Sequence, residues 1–242
     1  MKLIINADDF GLSKSVTDGI VKAINDGAIT STTLMANTEW TNYAIKQARR
    51  YNLDCIGLHV TFTFGRPFTK CPSLCDDKGN FLKRDAQFSN NKMNEQEIYN
   101  EIMAQFNYIK SKGIKITHID SHHWAGGLPM TSKVITKIAK EQNLPVRRDF
   151  FNDDIITTDV FCNEFFGSSK KAISVESLKI ILNKYKDSNQ TIELMCHVGH
   201  MDDYTRCVTS YQMRDIELAT LLKAKKEGVF DGINLINFNE IT

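Results

Sequence analysis

Three of the six histidines in this 242-residue chain lie within one six-residue segment. The segment reads His118-Ile119-Asp120-Ser121-His122-His123 and comes at the end of a short apolar run. Neutral imidazole is the side chain with which proteins bind transition metals most often. The spacing therefore favours a metal site at the end of this run.

Two other places in the sequence carry residues of the same chemical kind. Asp8 and Asp9 end the first apolar run of the chain, and His59 ends a later one. Taken alone, paired acids at such a point are more typical of a turn or a helix cap, and a lone histidine is more often structural. A carboxylate combined with two imidazoles, however, leaves coordination positions open, as a catalytic ion requires.

Hydrolysis is the reaction class that such a set of residues favours. A bound divalent ion polarises a carbonyl oxygen and lowers the pKa of water, so that hydroxide is available at neutral pH. A second carboxylate beside the site can accept the proton of the water, and a separate histidine can protonate a leaving amine. Asp8 and His197 fit these two roles.

The apolar pattern predicts strands that alternate with helices along the whole chain. The predicted strands are residues 2–6, 31–35, 55–60, 115–119, 145–147, 191–196 and 233–236. The predicted helices are residues 15–26, 39–51, 94–112, 132–142, 175–186 and 211–226. Ser15 and Asp18 have the spacing of a capping box at the start of the first helix. Because no repeat or linker-like tract interrupts this alternation, we expect one domain over residues 1–242.

Repeated strand-then-helix units predict an α/β fold with a mostly parallel sheet. The sheet could be closed as a barrel or open and doubly wound, and a barrel is favoured. The carboxyl ends of parallel strands gather on one face, where loops build an active site. Titratable residues follow the predicted strands at this end: Asp8, Asp9, His59, the 118–123 segment, Arg147, His197 and His200.

Composition excludes several classes of partner. The formal net charge is only +1, and basic and acidic residues are interspersed, so no nucleic-acid partner is expected. The chain contains neither a signal-peptide pattern nor a long apolar stretch, so we expect a cytoplasmic protein with no membrane partner. Its six cysteines then stay reduced. Cys71 and Cys75 have zinc-like spacing, but no second ligand pair follows them.

Five segments of the chain together resemble the signature segments of the YdjC-type carbohydrate deacetylases. They are Asn6-Ala7-Asp8-Asp9-Phe10-Gly11, Thr30-Ser31-Thr32-Thr33, Gly57-Leu58-His59, Thr117-His118-Ile119-Asp120-Ser121-His122-His123, and Glu193-Leu194-Met195-Cys196-His197. Their order and spacing also agree with that family. Each motif is loose by itself, and the five together are specific.

The resemblance implies a distorted (β/α) barrel related to the NodB-like polysaccharide deacetylases. It also implies removal of acetyl groups from N-acetylated oligosaccharides such as diacetylchitobiose. By position in the motifs, Asp9, His59 and His122 would be the metal ligands. Asp8 would be the general base and His197 the general acid, while Arg147 would position Asp8 or the substrate.

The resemblance favours Mg²⁺ as the ion, whereas two imidazoles suit Zn²⁺ or Co²⁺ better, since Mg²⁺ prefers oxygen ligands. The motifs also depart from the family in places. Trp124 and Gly126 stand where family members often have further histidines, and we expect Trp124 to stack on a sugar ring. His200 is expected to be a loop residue.

Two other functions stay open from the residues alone. One is metal-dependent hydrolysis of another amide, an ester or a phosphoester, because the residues predict water activation and not the leaving group. The other is a catalytically silent carbohydrate-binding protein on the same fold. The long connection of residues 61–91 is well placed to be a substrate lid. The sequence leaves a homodimer open.

Overall fold

The protein is described by a computed structural model that covers residues 1–148, 155–167, 169 and 172–241. Seven parallel strands form one sheet in this part of the chain. The strands are β1 (Lys2–Phe10), β2 (Ser31–Leu34), β3 (Ile56–Val60), β4 (Ile116–Ser121), β5 (Val160–Cys162), β6 (Thr191–Cys196) and β7 (Asn234–Leu235). Their order across the sheet is β4-β3-β2-β1-β6-β5, and β7 pairs with the beginning of β1.

Eight α-helices connect and cover these strands in the described part of the chain. They are α1 (Lys14–Asn25), α2 (Thr41–Arg50), α3 (Arg84–Phe88), α4 (Glu95–Ser111), α5 (Pro129–Gln142), α6 (Val175–Asn183), α7 (Asp203–Val208) and α8 (Arg214–Lys226). Helix α1 packs against α2 and α8, and α4 packs against α5. None of the described helices is long and apolar enough to cross a bilayer.

The central strands are buried along almost their whole length. Every residue of β3 and β4 is buried, as are residues 3–10 of β1. Apolar runs covered on both faces are typical of parallel sheets. Charged side chains inside such strands must find partners within the protein, because water does not reach them.

The prediction of an α/β fold with a distorted barrel is confirmed. The parallel sheet is curled into a half-barrel, and within the described residues β4 and β5 form its two edges. The barrel is therefore open on one side. A single bridge between Ile119 and Val146 extends the edge beyond β4.

Several predicted elements differ from the structure. The predicted strand at residues 145–147 is reduced to that single bridge, and β5 lies in a stretch for which neither a strand nor a helix was predicted. The capping residue of α1 is Ser13, whose hydroxyl accepts the N–H of Val16 at 3.0 Å, and not Ser15. Helices α3 and α7 were not predicted, since five or six residues give too little periodicity.

The connection of residues 61–91 is attached firmly to the rest of the fold. Glu101 of α4 is buried and accepts the backbone N–H groups of Phe68 and Thr69 at 3.1 and 2.8 Å. The sulfurs of Cys71 and Cys75 lie 3.8 Å apart as free thiols. Helix α3, near the end of this connection, packs against the turn of residues 122–127.

Candidate active site

A cavity of about 270 Å³ brings most of the predicted residues together. Five of the six predicted site residues line it, and Arg147 lies beneath it in contact with Asp8. The lining residues are Asp8, Asp9, His59, Arg84, Ser121, His122, His123, Trp124, Phe166, Met195, His197, Thr209, Ser210, Tyr211 and Arg214. The cavity is thus built mainly where the strands end.

Asp8 and Asp9 both face the cavity although they are consecutive in a strand. Successive side chains of a regular strand point to opposite faces. Here the pairing of β1 with β2 shifts register between Ala7 and Phe10, and Asp9 has a left-handed φ of 71°. Such an irregularity re-aims a side chain, and a non-glycine residue at positive φ carries local strain. The strained backbone at Asp9 therefore allows both carboxylates to face the cavity.

Asp9, His59 and His122 form a compact group of ligand atoms. The Asp9 Oδ1 atom lies 3.1 Å from His59 Nε2 and 2.8 Å from His122 Nδ1. All three side chains are buried, and one ligand atom from each lies within 4.8 Å of the others. One carboxylate oxygen and two imidazole nitrogens form a donor set that fits a divalent transition metal.

Asp120 holds the ring of His59 from behind. The two residues are neighbours in the register of β3 and β4, and His59 Nδ1 lies 2.7 Å from Asp120 Oδ1. Thr33 donates its hydroxyl to Asp120 Oδ2 at 2.9 Å. Burial lowers the pKa of His59, but Asp120, with smaller contributions from Asp9 and Asp8, raises it to about 10. The surroundings of this ring therefore favour positive charge.

A second group of candidate ligands shares His59 and consists of Asp8, His59 and Asp120. Asp120 in this group already lies 3.0 Å from the guanidinium of Arg147 and accepts the Thr33 hydroxyl. Arg147 thus contacts both carboxylates of this group, whereas Asp9 of the first group keeps its Oδ1 atom toward the two imidazoles. The group that contains Asp9 is therefore the better metal site.

Arg147 anchors Asp8 in a buried network of charges. Its Nη1 and Nη2 atoms donate to the two carboxylate oxygens of Asp8 at 2.8 and 2.7 Å. Its Nε atom donates to Glu193 at 2.8 Å. Burial raises the pKa of Asp8, but Arg147 outweighs it and lowers this pKa to about 2. Burial raises the pKa of Glu193 to about 7 although Arg147 opposes the shift.

His197 also lies close to Asp8. Its Nε2 atom is 3.9 Å from Asp8 Oδ2, and its ring packs against those of Phe166 and Tyr211, which stack on each other. Burial lowers the pKa of His197 to about 4 although Asp8 opposes the shift. The imidazole is therefore neutral at physiological pH. Within the described residues its Nδ1 atom has no hydrogen-bond partner.

The beginning of α8 supplies site residues that the sequence analysis missed. Arg214 donates from Nη2 to Asp9 Oδ2 at 2.5 Å. Glu217 accepts the backbone N–H of His197 and the hydroxyl of Tyr211. Burial raises the pKa of Glu217 to about 7. Asp120 and Glu193 lie within the quoted segments but were given no role, although each is a charged residue within a buried strand.

The turn of residues 122–127 forms another wall of the cavity. His123 and Trp124 have left-handed φ angles of 57° and 58°, and Trp124 is 38% exposed at the cavity. Arg84 of α3 also lines the cavity, so the 61–91 connection contributes to its wall. His200 does not line it and instead lies in an exposed loop, 3.3 Å from Asp215.

Comparisons with known proteins agree with this geometry. A family model described as YdjC-like protein matches residues 2–228. A carbohydrate deacetylase from Clostridium beijerinckii is 34% identical, with both chains covered completely. A solved structure from Enterococcus faecalis, provisionally described as a cellobiose-phosphate cleavage protein, is 31% identical with a TM-score of 0.89. That alignment covers 98% of this chain and 97% of the other.

More distant structures share the fold alone. A CE4 esterase from Streptococcus mutans has a TM-score of 0.56 at 15% identity. The alignment covers 96% of this chain and 84% of that one. The curled parallel half-barrel of this chain is therefore a fold that it shares with that esterase.

Proposed function

This chain belongs to the YdjC-like protein family, and from that premise we propose that it is a metal-dependent carbohydrate deacetylase. The observation that carries the proposal is a single cavity that combines three ligand residues with a second carboxylate and a neutral histidine. The curated relative from C. beijerinckii, which aligns with this chain over the full length of both, is named a carbohydrate deacetylase. A site of this composition is suited to hydrolysis of an acetamide.

Asp9, His59 and His122 are the residues that would hold the ion. When bound, a divalent ion polarises the acetyl carbonyl group and lowers the pKa of water. The family resemblance favours Mg²⁺, and the two imidazole nitrogens favour Zn²⁺ or Co²⁺. We therefore propose a divalent ion held by this group.

Asp8 and His197 are the proposed acid-base pair. Asp8 is ionised, and although Arg147 donates to its Oδ2 atom, that oxygen keeps a second lone pair that can accept a proton from the attacking water. His197 Nε2 faces that oxygen across 3.9 Å, so the neutral imidazole can take up the proton that Asp8 accepts from water and pass it to the leaving amine. Arg147 acts as a positioning residue, because it holds both oxygens of Asp8 in one orientation.

The proposed substrates are N-acetylated oligosaccharides such as diacetylchitobiose. Trp124 and Phe166 line the cavity and are 38% and 39% exposed, so they offer apolar ring faces to a sugar. The volume of about 270 Å³ suits one sugar ring with its acetamido group, with the rest of the substrate outside. A cytoplasmic location and a lid role for residues 61–91 complete the proposal.

Acetate release from diacetylchitobiose by protein loaded with Mg²⁺, Zn²⁺ or Co²⁺ tests the proposal directly. The same preparations are assayed on ester and phosphoester substrates. Turnover confined to an ester or phosphoester would replace deacetylation by another hydrolysis. Binding of the disaccharide without acetate release over hours would show a catalytically silent binding protein.

The variant His59→Ala tests whether the activity depends on the proposed metal site. It is expected to lose the bound ion and activity together, since it removes one of three ligands. Elemental analysis of the purified variant and the acetate assay measure the two losses. Activity that persists in a metal-free His59→Ala protein would overturn metal dependence.

A further inference from the structure

Asp9 uses its two carboxylate oxygens for different partners. Its Oδ1 atom faces both imidazoles, 3.1 Å from His59 Nε2 and 2.8 Å from His122 Nδ1. Its Oδ2 atom instead accepts a charge-assisted hydrogen bond from Arg214 Nη2 at 2.5 Å. The side of the carboxylate that faces the two other ligands is therefore separated from the side that faces the arginine.

The burial of Arg214 is not explained by stability alone. The side chain is 1% exposed, yet its Nε and Nη1 atoms have no hydrogen-bond partner within the described residues. Buried donors without partners cost free energy, and such exceptions in native proteins call for a functional reason. The strong contact of this guanidinium with Asp9 supplies one.

The start of α8 holds the guanidinium in place. Arg214 is the first residue of that helix, and its Nη2 atom also lies 3.3 Å from the hydroxyl of Thr209. The ring of Tyr211 lies 5.9 Å from the guanidinium carbon. The contact with Asp9 therefore does not depend on a mobile surface side chain.

We propose that Arg214 is a positioning residue that restricts Asp9 to coordination through one oxygen. The inference rests on the proposed metal site and deepens it. Carboxylates bind cations through one oxygen or through both. Because the positive charge of Arg214 lies against Oδ2 and repels a second cation there, Oδ1 is the oxygen left to act as a ligand, and the coordination positions that water and an acetyl carbonyl need stay open.

Substitution with Co²⁺ provides a readout that does not depend on turnover. The visible absorption of Co²⁺ becomes weaker as its coordination number rises. Arg214→Met removes the donor while nearly keeping the side-chain volume, so Asp9 is expected to bind through both oxygens. We expect this variant to keep one Co²⁺ per chain, with visibly weaker absorption than the wild type. Its kcat is expected to fall by about 10- to 100-fold, as is typical when an outer-shell partner is lost.

Two further variants complete the experiment. Arg214→Lys keeps a positive donor near Asp9 and is expected to restore most of the wild-type Co²⁺ spectrum. Arg206→Gln replaces an exposed arginine of α7 outside the cavity and is expected to leave the spectrum unchanged. The rise in Tm on Co²⁺ binding is measured for each protein, because this difference cancels any general loss of stability.

Several results would overturn the inference. They are an Arg214→Met spectrum and kcat equal to those of the wild type, loss of Co²⁺ from Arg214→Met, or a wild-type protein that binds no Co²⁺. The spectra need no substrate. A wild type that binds Co²⁺ but releases no acetate would therefore contradict the proposed function, while the spectra of the variants would still decide the role of Arg214.

Discussion

Two buried arginines, Arg147 beneath the cavity and Arg214 in its lining, each hold one of the adjacent acids of β1. Arg147 binds Asp8 with two nitrogens and Glu193 with the third. Arg214 binds Asp9 through one nitrogen, and its other two have no hydrogen-bond partner within the described chain. All three nitrogens of the Arg147 guanidinium thus donate hydrogen bonds, whereas within the described chain only one nitrogen of Arg214 does.

The difference indicates different roles for neighbouring carboxylates. A fully paired arginine fixes Asp8 through both oxygens, which suits a residue that must keep one orientation. Asp9 has one oxygen left toward two imidazoles, which suits a ligand. Arg147 should also contribute more to stability than Arg214, because its removal would leave several buried carboxylates without a cation.

The largest expected effect comes from Arg147→Met. Loss of Arg147 would leave Asp8, Asp120 and Glu193 without their shared cation, so the free energy of unfolding should fall by about 3–5 kcal/mol. That loss corresponds to a decrease in Tm of roughly 10 °C for a chain of this size. Denaturant titration of metal-free protein measures it.

Arg214→Met is the matched comparison for stability. It should cost less than half as much, since only one carboxylate loses a partner. If the two variants lost equal amounts of unfolding free energy, the larger contribution of Arg147 to stability would be contradicted.

Glu217→Gln should alter the pH dependence of stability. Burial raises the pKa of Glu217 from 4.5 to about 7. When the pKa of an acid is higher in the folded than in the unfolded protein, the protonated acid stabilises the fold. This contribution is complete below the pKa of the unfolded state and is lost as the pH rises through the pKa of the folded state. Between pH 4.5 and 7 the free energy of unfolding of the wild type should therefore fall by roughly 3 kcal/mol. The variant should not show this loss, because the amide mimics the protonated carboxyl group.

Tm measured at pH 5 and at pH 8 for both proteins tests this sign. The difference between the two proteins isolates Glu217, because other groups titrate in both. His197 in particular acts in the opposite direction, since its lowered pKa favours the fold as the pH rises. A difference in Tm between wild type and variant that is the same at pH 5 and at pH 8 would contradict the prediction.

The smallest effect is expected at Trp124, which lies outside both arginine networks. Trp124→Ala should raise the substrate KM roughly fivefold with little change in kcat, since packing against an aromatic face is worth about 1 kcal/mol. Tyr51→Ala removes an aromatic side chain of similar exposure, 41%, that does not line the cavity, and serves as the control. An unchanged KM in Trp124→Ala would remove this residue from the binding surface.

The sequence predicted most of the sheet because buried parallel strands have strong apolar patterns. Strands β1, β3, β4 and β6 were each predicted near their observed positions. Strand β5 was missed, since its three residues lie at a sheet edge and two of them are only partly buried. Such a strand is defined by its pairing with β6, which no local pattern records.

The candidate site was predictable where it follows strand ends. The six predicted residues lie in or directly beneath one cavity, although their individual roles stay predictions. Arg214 and Glu217 could not be found in this way, because in sequence they look like ordinary charged residues of a helix start. Only the contacts of α8 with Asp9 in β1 and with His197 after β6 make them part of the site.

Bound metal in the isosteric pair Asp8→Asn and Asp9→Asn tests the division of roles most directly. Elemental analysis of both variants, purified under the same conditions with added divalent metal, is compared with acetate release. We expect Asp8→Asn to keep about one ion per chain and lose turnover, and Asp9→Asn to lose both. Equal metal content in the two variants, or loss of metal from Asp8→Asn alone, would contradict the assignment of Asp9 as the ligand and Asp8 as the base.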